Sequence, residues 1–198
     1  MRIAKEAFLT MEPIVLASQS PRRRELLSLY GIPFVVDPSQ ADEEHVQGTG
    51  AQRVKALAKA KCDEVAQRYP GRFVLAADTL VCVDDEVLGK PKDEADAMRM
   101  LRLLSGRAHQ VHTGLCMRLP DGRELVDVDT TDVVFMPLSD AQIKRYIESG
   151  EPMDKAGAYA IQGKAGVFID RISGSHSNVI GLPLGLLTRF LAQAGITF

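Results

Sequence analysis

The sequence predicts an α/β protein with two lobes around a cleft. Two observations carry the α/β class. Short apolar runs alternate with helical patterns as far as residue 104, the order expected when helices cover a sheet. Two long strand-like runs then flank Pro120-Asp121-Gly122, a turn sequence that should close a hairpin. A third feature bears on domain number: with 198 residues and no linker, repeat or low-complexity tract, two lobes fit better than two independent domains. Residues 1–12 read as an N-terminal appendage and 13–198 as a single domain.

The elements follow in order. The run from Pro13 to Ser18 is a buried strand. Ser20 is a good N-cap and Pro21 suits the first helical position, so a helix should start there and end at Gly31. Residues 32–36 form a second strand, residues 50–69 a helix, and residues 73–78 a strand that ends at Asp78. Asp84-Asp85 is the tip of a hairpin returning through Val87 and Leu88 to Lys90. A helix spans 93–104, and long strands span 108–119 and 123–136. The Ser139-Asp140-Ala141-Gln142 capping box opens a helix that stops near Gly150. The last helix follows Gly181-Leu182-Pro183 and runs toward Ala194.

Composition narrows the function classes. With 24 basic and 26 acidic residues, the net charge of -2 gives no global field to recruit nucleic acid or an anionic membrane. Any anion site must be local. Cys62, Cys82 and Cys116 lie outside any CxxC pair, which fits a reduced, cytoplasmic setting rather than a disulfide framework. His109 and His112 should face opposite sides of a strand, while His45 and His176 are isolated, so a histidine zinc site is not expected. No apolar run approaches a membrane span, and the first dozen residues lack a signal-peptide core.

Several charged residues occupy unusual places. Arg22, Arg23 and Arg24 crowd a helix start, where the macrodipole disfavours cations unless an anion binds; free N–H groups and guanidinium forks there suit phosphate. A solvated basic turn is the alternative. Lys61 falls inside the apolar stripe made by Val54, Leu57, Ala58, Val65 and Tyr69, whereas Lys55 and Lys59 lie to its side. It either snorkels from the stripe's edge or meets an anion in a cleft. Asp78, at the expected carboxyl end of its strand, is the best catalytic candidate, with a turn-capping role as the alternative.

Lys90, held extended before Pro91, returns toward Asp78, or is an ordinary surface lysine. The acidic loop Asp42-Glu43-Glu44 offers hard oxygen ligands to Mg²⁺, or is simply solvated. The stretch from Asp154 to Gly163 almost imitates a P-loop, but Gly157 to Gly163 is one residue too long and Ala165 stands where the motif needs Ser or Thr. Gln162 can read a base edge or brace a turn, since its amide both donates and accepts.

Taken together, SQSPRR, LAKAK, AADT, GKP, DKAGAYAIQG and GSHSNVIGLP resemble, in order and spacing, the Maf family of nucleoside triphosphate pyrophosphatases, from about Ile14 to Leu187. The resemblance implies a fold similar to that of the inosine triphosphate pyrophosphatases, a mixed, twisted sheet in two lobes around a deep cleft, and a homodimer. It implies the dTTP/UTP subgroup, because Arg22, Thr79 and Gln162 match that subgroup's specificity positions. It places phosphate contacts on Arg23, Lys61 and Lys90, with Ser18 and Ser20 in the substrate loop, and Mg²⁺ or Mn²⁺ on Glu43; Asp78 either accepts the proton of the attacking water or joins Glu43 as a metal ligand. The implied reaction splits a nucleoside triphosphate between its α and β phosphates, which would help keep non-standard nucleotides out of nucleic acids. The rival reading from the same resemblance is a nucleotide-binding regulator of septum formation and cell division.

Overall fold

The computed structural model describes residues 12–42, 46–84 and 86–196. Seven strands make one mixed sheet: β1 (Ile14–Leu16), β2 (Phe34–Val36), β3 (Val74–Val83), β4 (Glu86–Leu88), β5 (Ala108–Arg118), β6 (Glu124–Phe135) and β7 (Ile169–Ser173). Their order is β2-β1-β3-β5-β6-β7, with β4 paired to β3. Helices α1 (Pro21–Ser28), α2 (Gly50–Arg68), α3 (Glu94–Leu104), α4 (Asp140–Ile147), α5 (His176–Ile180) and α6 (Leu184–Gln193) pack around it.

The capping signals behave as the chemistry requires. Ser20 caps α1, with Pro21 in its first turn, and Gly31 beyond the helix has a φ of 66° that a side chain would resist. The Ser139 capping box opens α4. A second capping box, Thr49 with Gln52, fixes the start of α2 and was not among the sequence expectations. The turn through Pro120-Asp121-Gly122 joins the long β5–β6 hairpin, whose pairs run from Arg118–Glu124 to Ala108–Val134.

One edge of β3 creates the cleft. Parallel pairing with β1 stops at Leu75, and antiparallel pairing with β4 starts only at Val81. Between them no strand among the described residues covers that edge, although β5 pairs along the other edge from Val74 to Cys82. Asp78 therefore lies in the middle of a ten-residue strand, which corrects its expected place at a strand end. The polar Asp78-Thr79 pair interrupts the apolar run in sequence, but β5 continues to hydrogen-bond the backbone past it. The equivalent of a strand end is supplied by β1, which does stop there.

Apolar packing holds the two banks apart. One cluster joins Leu16, Leu26, Leu27 and Leu75 to Leu186, Leu187 and Phe190 of α6. Another joins Val81, Leu101, Phe135, Ile143 and Tyr159. A third places Ala58, Cys62 and Val65 of α2 on Val74 and Ala76. Helix α2 approaches β5 so closely that a Cβ on Gly114 would sit 2.1 Å from the Val54 carbonyl oxygen. Burying side chains such as these contributes roughly 1.5–3 kcal/mol each, so the wall that carries Lys61 is firmly seated.

Beyond α4 the chain folds as three short 3₁₀ turns, Glu151–Asp154, Ala156–Ala158 and Lys164–Phe168, before β7 and α5. These elements have no periodicity that a sequence pattern would reveal. Among the described residues no helix is long and apolar enough to cross a membrane.

Candidate active site

The uncovered edge of β3 opens into a cleft of about 1060 Å³. Its walls include Ala17 to Ser20 with the first turn of α1, the stretch from Asp37 to Gln40, the inner face of α2, residues Asp78 to Val81 with Gly89 and Lys90, the segment from Asp154 to Gln162, and Val179 and Ile180 of α5. Of the residues expected to act, Ser18, Ser20, Arg22, Arg23, Lys61, Asp78, Thr79, Lys90 and Gln162 all line it. Glu43 lies outside the described residues.

Asp78 and Lys61 form the centre. The Lys61 ammonium donates to Asp78 Oδ1 at 2.6 Å, with the two side chains only 12% and 10% exposed. Lys61 therefore turns inward to a carboxylate instead of snorkelling to bulk water. Lys59, by contrast, lies to the side as its spacing predicts and pairs with Asp63 and Glu124.

Arg23 joins three distant parts of the chain. Its Nε donates to the Gly181 carbonyl at 2.8 Å, and its two terminal nitrogens donate to Ser18 Oγ and Thr79 Oγ1, both at 3.2 Å. Thr79 in turn bonds Thr113 Oγ1 at 2.9 Å, and Thr113 donates to the Asn178 carbonyl. The buried Asn178 amide donates to the Val111 carbonyl and to Thr131 Oγ1. This chain of bonds ties the arginine loop, β3 and α5 into one unit, and it holds Arg23 and Thr79 in place by satisfied polar contacts.

Across the cleft, Asp154 is held below the usual carboxylate range, chiefly by its bond to Lys155 and also by the nearby positive charge of Arg22. Next to them, Gly157 (φ 67°) and Ala158 (φ 59°) are left-handed, and a Cβ on Gly157 would meet Val81 at 3.0 Å. Close approach to β3 is thus what the glycine of that segment permits. Tyr159 is largely buried in the cleft wall, where its hydroxyl and His109 Nε2 are 2.8 Å apart. Gln162 is exposed at the mouth.

The sequence reading missed Arg53, Lys155 and Tyr159, which also line the cleft. A signal for Arg53 existed: it stands four residues before Leu57 and eight before Lys61, on the same helical stripe. For Lys155 and Tyr159 the chain offers only their position inside a glycine-containing segment.

Among the described residues no group of three His, Cys, Asp or Glu side chains is placed to hold a metal ion. Asp78 is a carboxylate facing the cleft. That donor set fits a hard divalent cation bound through one or two carboxylates and the oxygens of a phosphate ligand, not an all-protein cage.

Comparison with known proteins agrees with this architecture. The Maf-like protein family matches residues 13–194. The chain is 53% identical over 186 residues to a dTTP/UTP pyrophosphatase of Symbiobacterium thermophilum, covering 93% of this chain and 95% of that one. It is 51% identical over 174 residues to a dTTP/UTP pyrophosphatase of Thermococcus gammatolerans, covering 88% and 92%. Among solved structures, the Ham1 protein of Staphylococcus aureus shares the fold at a TM-score of 0.55 and 18% identity, over 92% of this chain and 99% of that one.

Proposed function

The chain belongs to the Maf family, and from that premise we propose that it hydrolyses dTTP and UTP to the monophosphate and pyrophosphate. One observation in the molecule supports the reading most: a cleft whose lining residues include Arg22, Arg23, Lys61 and Lys90 and whose central carboxylate is the enclosed Asp78. A triphosphate carries several negative charges, and such a set of cations neutralises them while charge shifts onto the leaving pyrophosphate.

In this reading a water oxygen bonds to the α-phosphorus as the bond from that phosphorus to the α–β bridging oxygen breaks. The bridging oxygen leaves with the pyrophosphate. Asp78 accepts the proton of the attacking water, with Lys61 fixing the carboxylate's orientation. Lys90 meets the phosphates. Arg23 acts mainly by holding Ser18, Thr79 and Gly181 together behind them. Asp78, together with Glu43, would hold Mg²⁺ or Mn²⁺, which neutralises phosphate charge and lowers the pKa of a bound water.

Arg22, Thr79 and Gln162 select the base. We place the protein in the cytoplasm, treat residues 13–198 as one catalytic domain and take the active form to be a homodimer. No observation favours the septum-regulator reading, and the curated relatives above are named for an enzymatic activity.

The test is product analysis after incubation with dTTP or UTP and Mg²⁺ or Mn²⁺. Stoichiometric monophosphate and pyrophosphate are expected. Release of orthophosphate with a nucleoside diphosphate would overturn the assignment, as would tight binding without turnover.

A further inference from the structure

Most arginines in the described chain have a carboxylate partner: Arg68 with Asp37 and Glu64, Arg99 with Glu86 and Asp96, Arg102 with Asp140, Arg107 with Asp84, and Arg118 with Asp63 and Glu124. Arg53 appears in none of these pairs. It lines the cleft, and its Nε is buried without a hydrogen-bond partner. An anion in the cleft would give this guanidinium the charged hydrogen-bond partner that no carboxylate among the described residues supplies.

Its place along the cleft says which ligand. Arg53, Leu57 and Lys61 follow one another at intervals of four on α2, and all three line the cleft. Arg53 and Lys61 stand roughly 12 Å apart along the helix axis at 1.5 Å per residue. Lys61 marks Asp78, whereas Arg53 lies toward Cys82, four residues farther along β3; its charge is felt at the Cys82 thiol. The base-selecting candidates are elsewhere: Thr79 is bonded to Arg23 and Thr113, Arg22 is in the first turn of α1, and Gln162 is exposed in the segment that follows the second 3₁₀ turn.

Building on the pyrophosphatase reading, we propose that Arg53 binds the β,γ-phosphate end of the substrate and retains the pyrophosphate leaving group. A guanidinium suits that task because its fork pairs with two phosphate oxygens at once. The interaction favours triphosphates over shorter nucleotides, since a monophosphate has no group that reaches Arg53.

The experiment is calorimetric titration of the full-length protein with pyrophosphate and, separately, with TMP, both with Mg²⁺ present. Wild type is compared with Arg53→Met and Arg53→Lys. In Arg53→Met the pyrophosphate dissociation constant should rise about 10- to 100-fold, the span expected for hydrogen bonds to a charged group, while that for TMP stays constant. Arg53→Lys should recover part of the loss.

Equal weakening of both ligands would mean that Arg53 merely supports the wall, and an unchanged pyrophosphate constant would mean that it does not touch phosphate. Either result overturns the proposal. If Arg53→Met melts early, Arg53→Gln carries the same comparison with a polar side chain. These readings are independent of turnover, so an inactive wild type would overturn the pyrophosphatase assignment without deciding the Arg53 contact.

Discussion

Lys61 Nζ and Asp78 Oδ1 meet at 2.6 Å inside a cleft where neither side chain is more than 12% exposed. The pair is thus enclosed yet faces the cleft. Replacing Asp78 with Asn keeps shape and hydrogen bonding while removing the proton acceptor. Turnover of dTTP should fall about 10²- to 10⁴-fold, the usual contribution of a general base, with nucleotide binding largely retained and a lower thermal midpoint, because Lys61 then faces a neutral partner. Measuring kcat, dTTP affinity and melting in that variant checks the assignment, and near-normal kcat would refute it.

The same geometry makes Lys61→Met a two-sided change. An apolar side chain suits the stripe of Val54, Leu57 and Val65, but it leaves the Asp78 carboxylate without its partner. Breaking a fully buried pair costs about 3–5 kcal/mol, and less is expected here because the cleft admits water. Lys61→Met should therefore lower both kcat/KM and stability. Adding Asp78→Asn should restore much of the stability but none of the activity. Additive stability losses in the double variant, read from denaturant melts, would refute the coupling.

How far the sequence reveals this site depends on whether its partners are local. Lys61 is legible because a cation interrupts an apolar stripe of known period, and the helix starts are legible because caps act over three or four residues. Asp78 is legible as a residue but misplaced within its strand, since the continuation depends on β5, more than thirty residues away in sequence. Arg23 reads only as a cation. Its bonds to Thr79 and Gly181 span 56 and 158 residues, and no periodicity encodes contacts of that range. The glycine-containing segment from Asp154 to Gly163 reads as ligand-approaching, but its 3₁₀ turns do not, because single turns leave no repeating pattern.

Base selectivity should respond to Gln162. Thymine and uracil present two carbonyls flanking an N–H, which a carboxamide can pair; a carboxylate cannot donate. Gln162→Glu should lower kcat/KM for dTTP and UTP by about 10-fold or more, as unpaired polar groups cost about 1–3 kcal/mol. A guanine nucleotide, whose N1–H and amine can donate to the carboxylate, should lose less. Comparing dTTP, UTP, CTP and 7-methyl-GTP in both proteins decides the matter, because an unchanged ratio removes Gln162 from base recognition.

Stability should also fall in mild acid through His109. Burial pushes its pKa down from 6.5 to about 4, because an imidazolium would lose its hydration between Phe135 and Tyr159. In the unfolded chain the group keeps its ordinary value and binds a proton first. Its contribution is therefore fully present above about pH 6.5, declines as pH falls toward about 4, and is lost below that. The amount at stake is on the order of 3 kcal/mol, from about 1.36 kcal/mol per pKa unit. His109→Gln keeps a polar side chain beside Tyr159 but cannot take up a proton between pH 4 and 7. Urea melts of wild type and variant across that range should show a steeper acid loss for wild type, and parallel pH profiles would show that His109 is not its source.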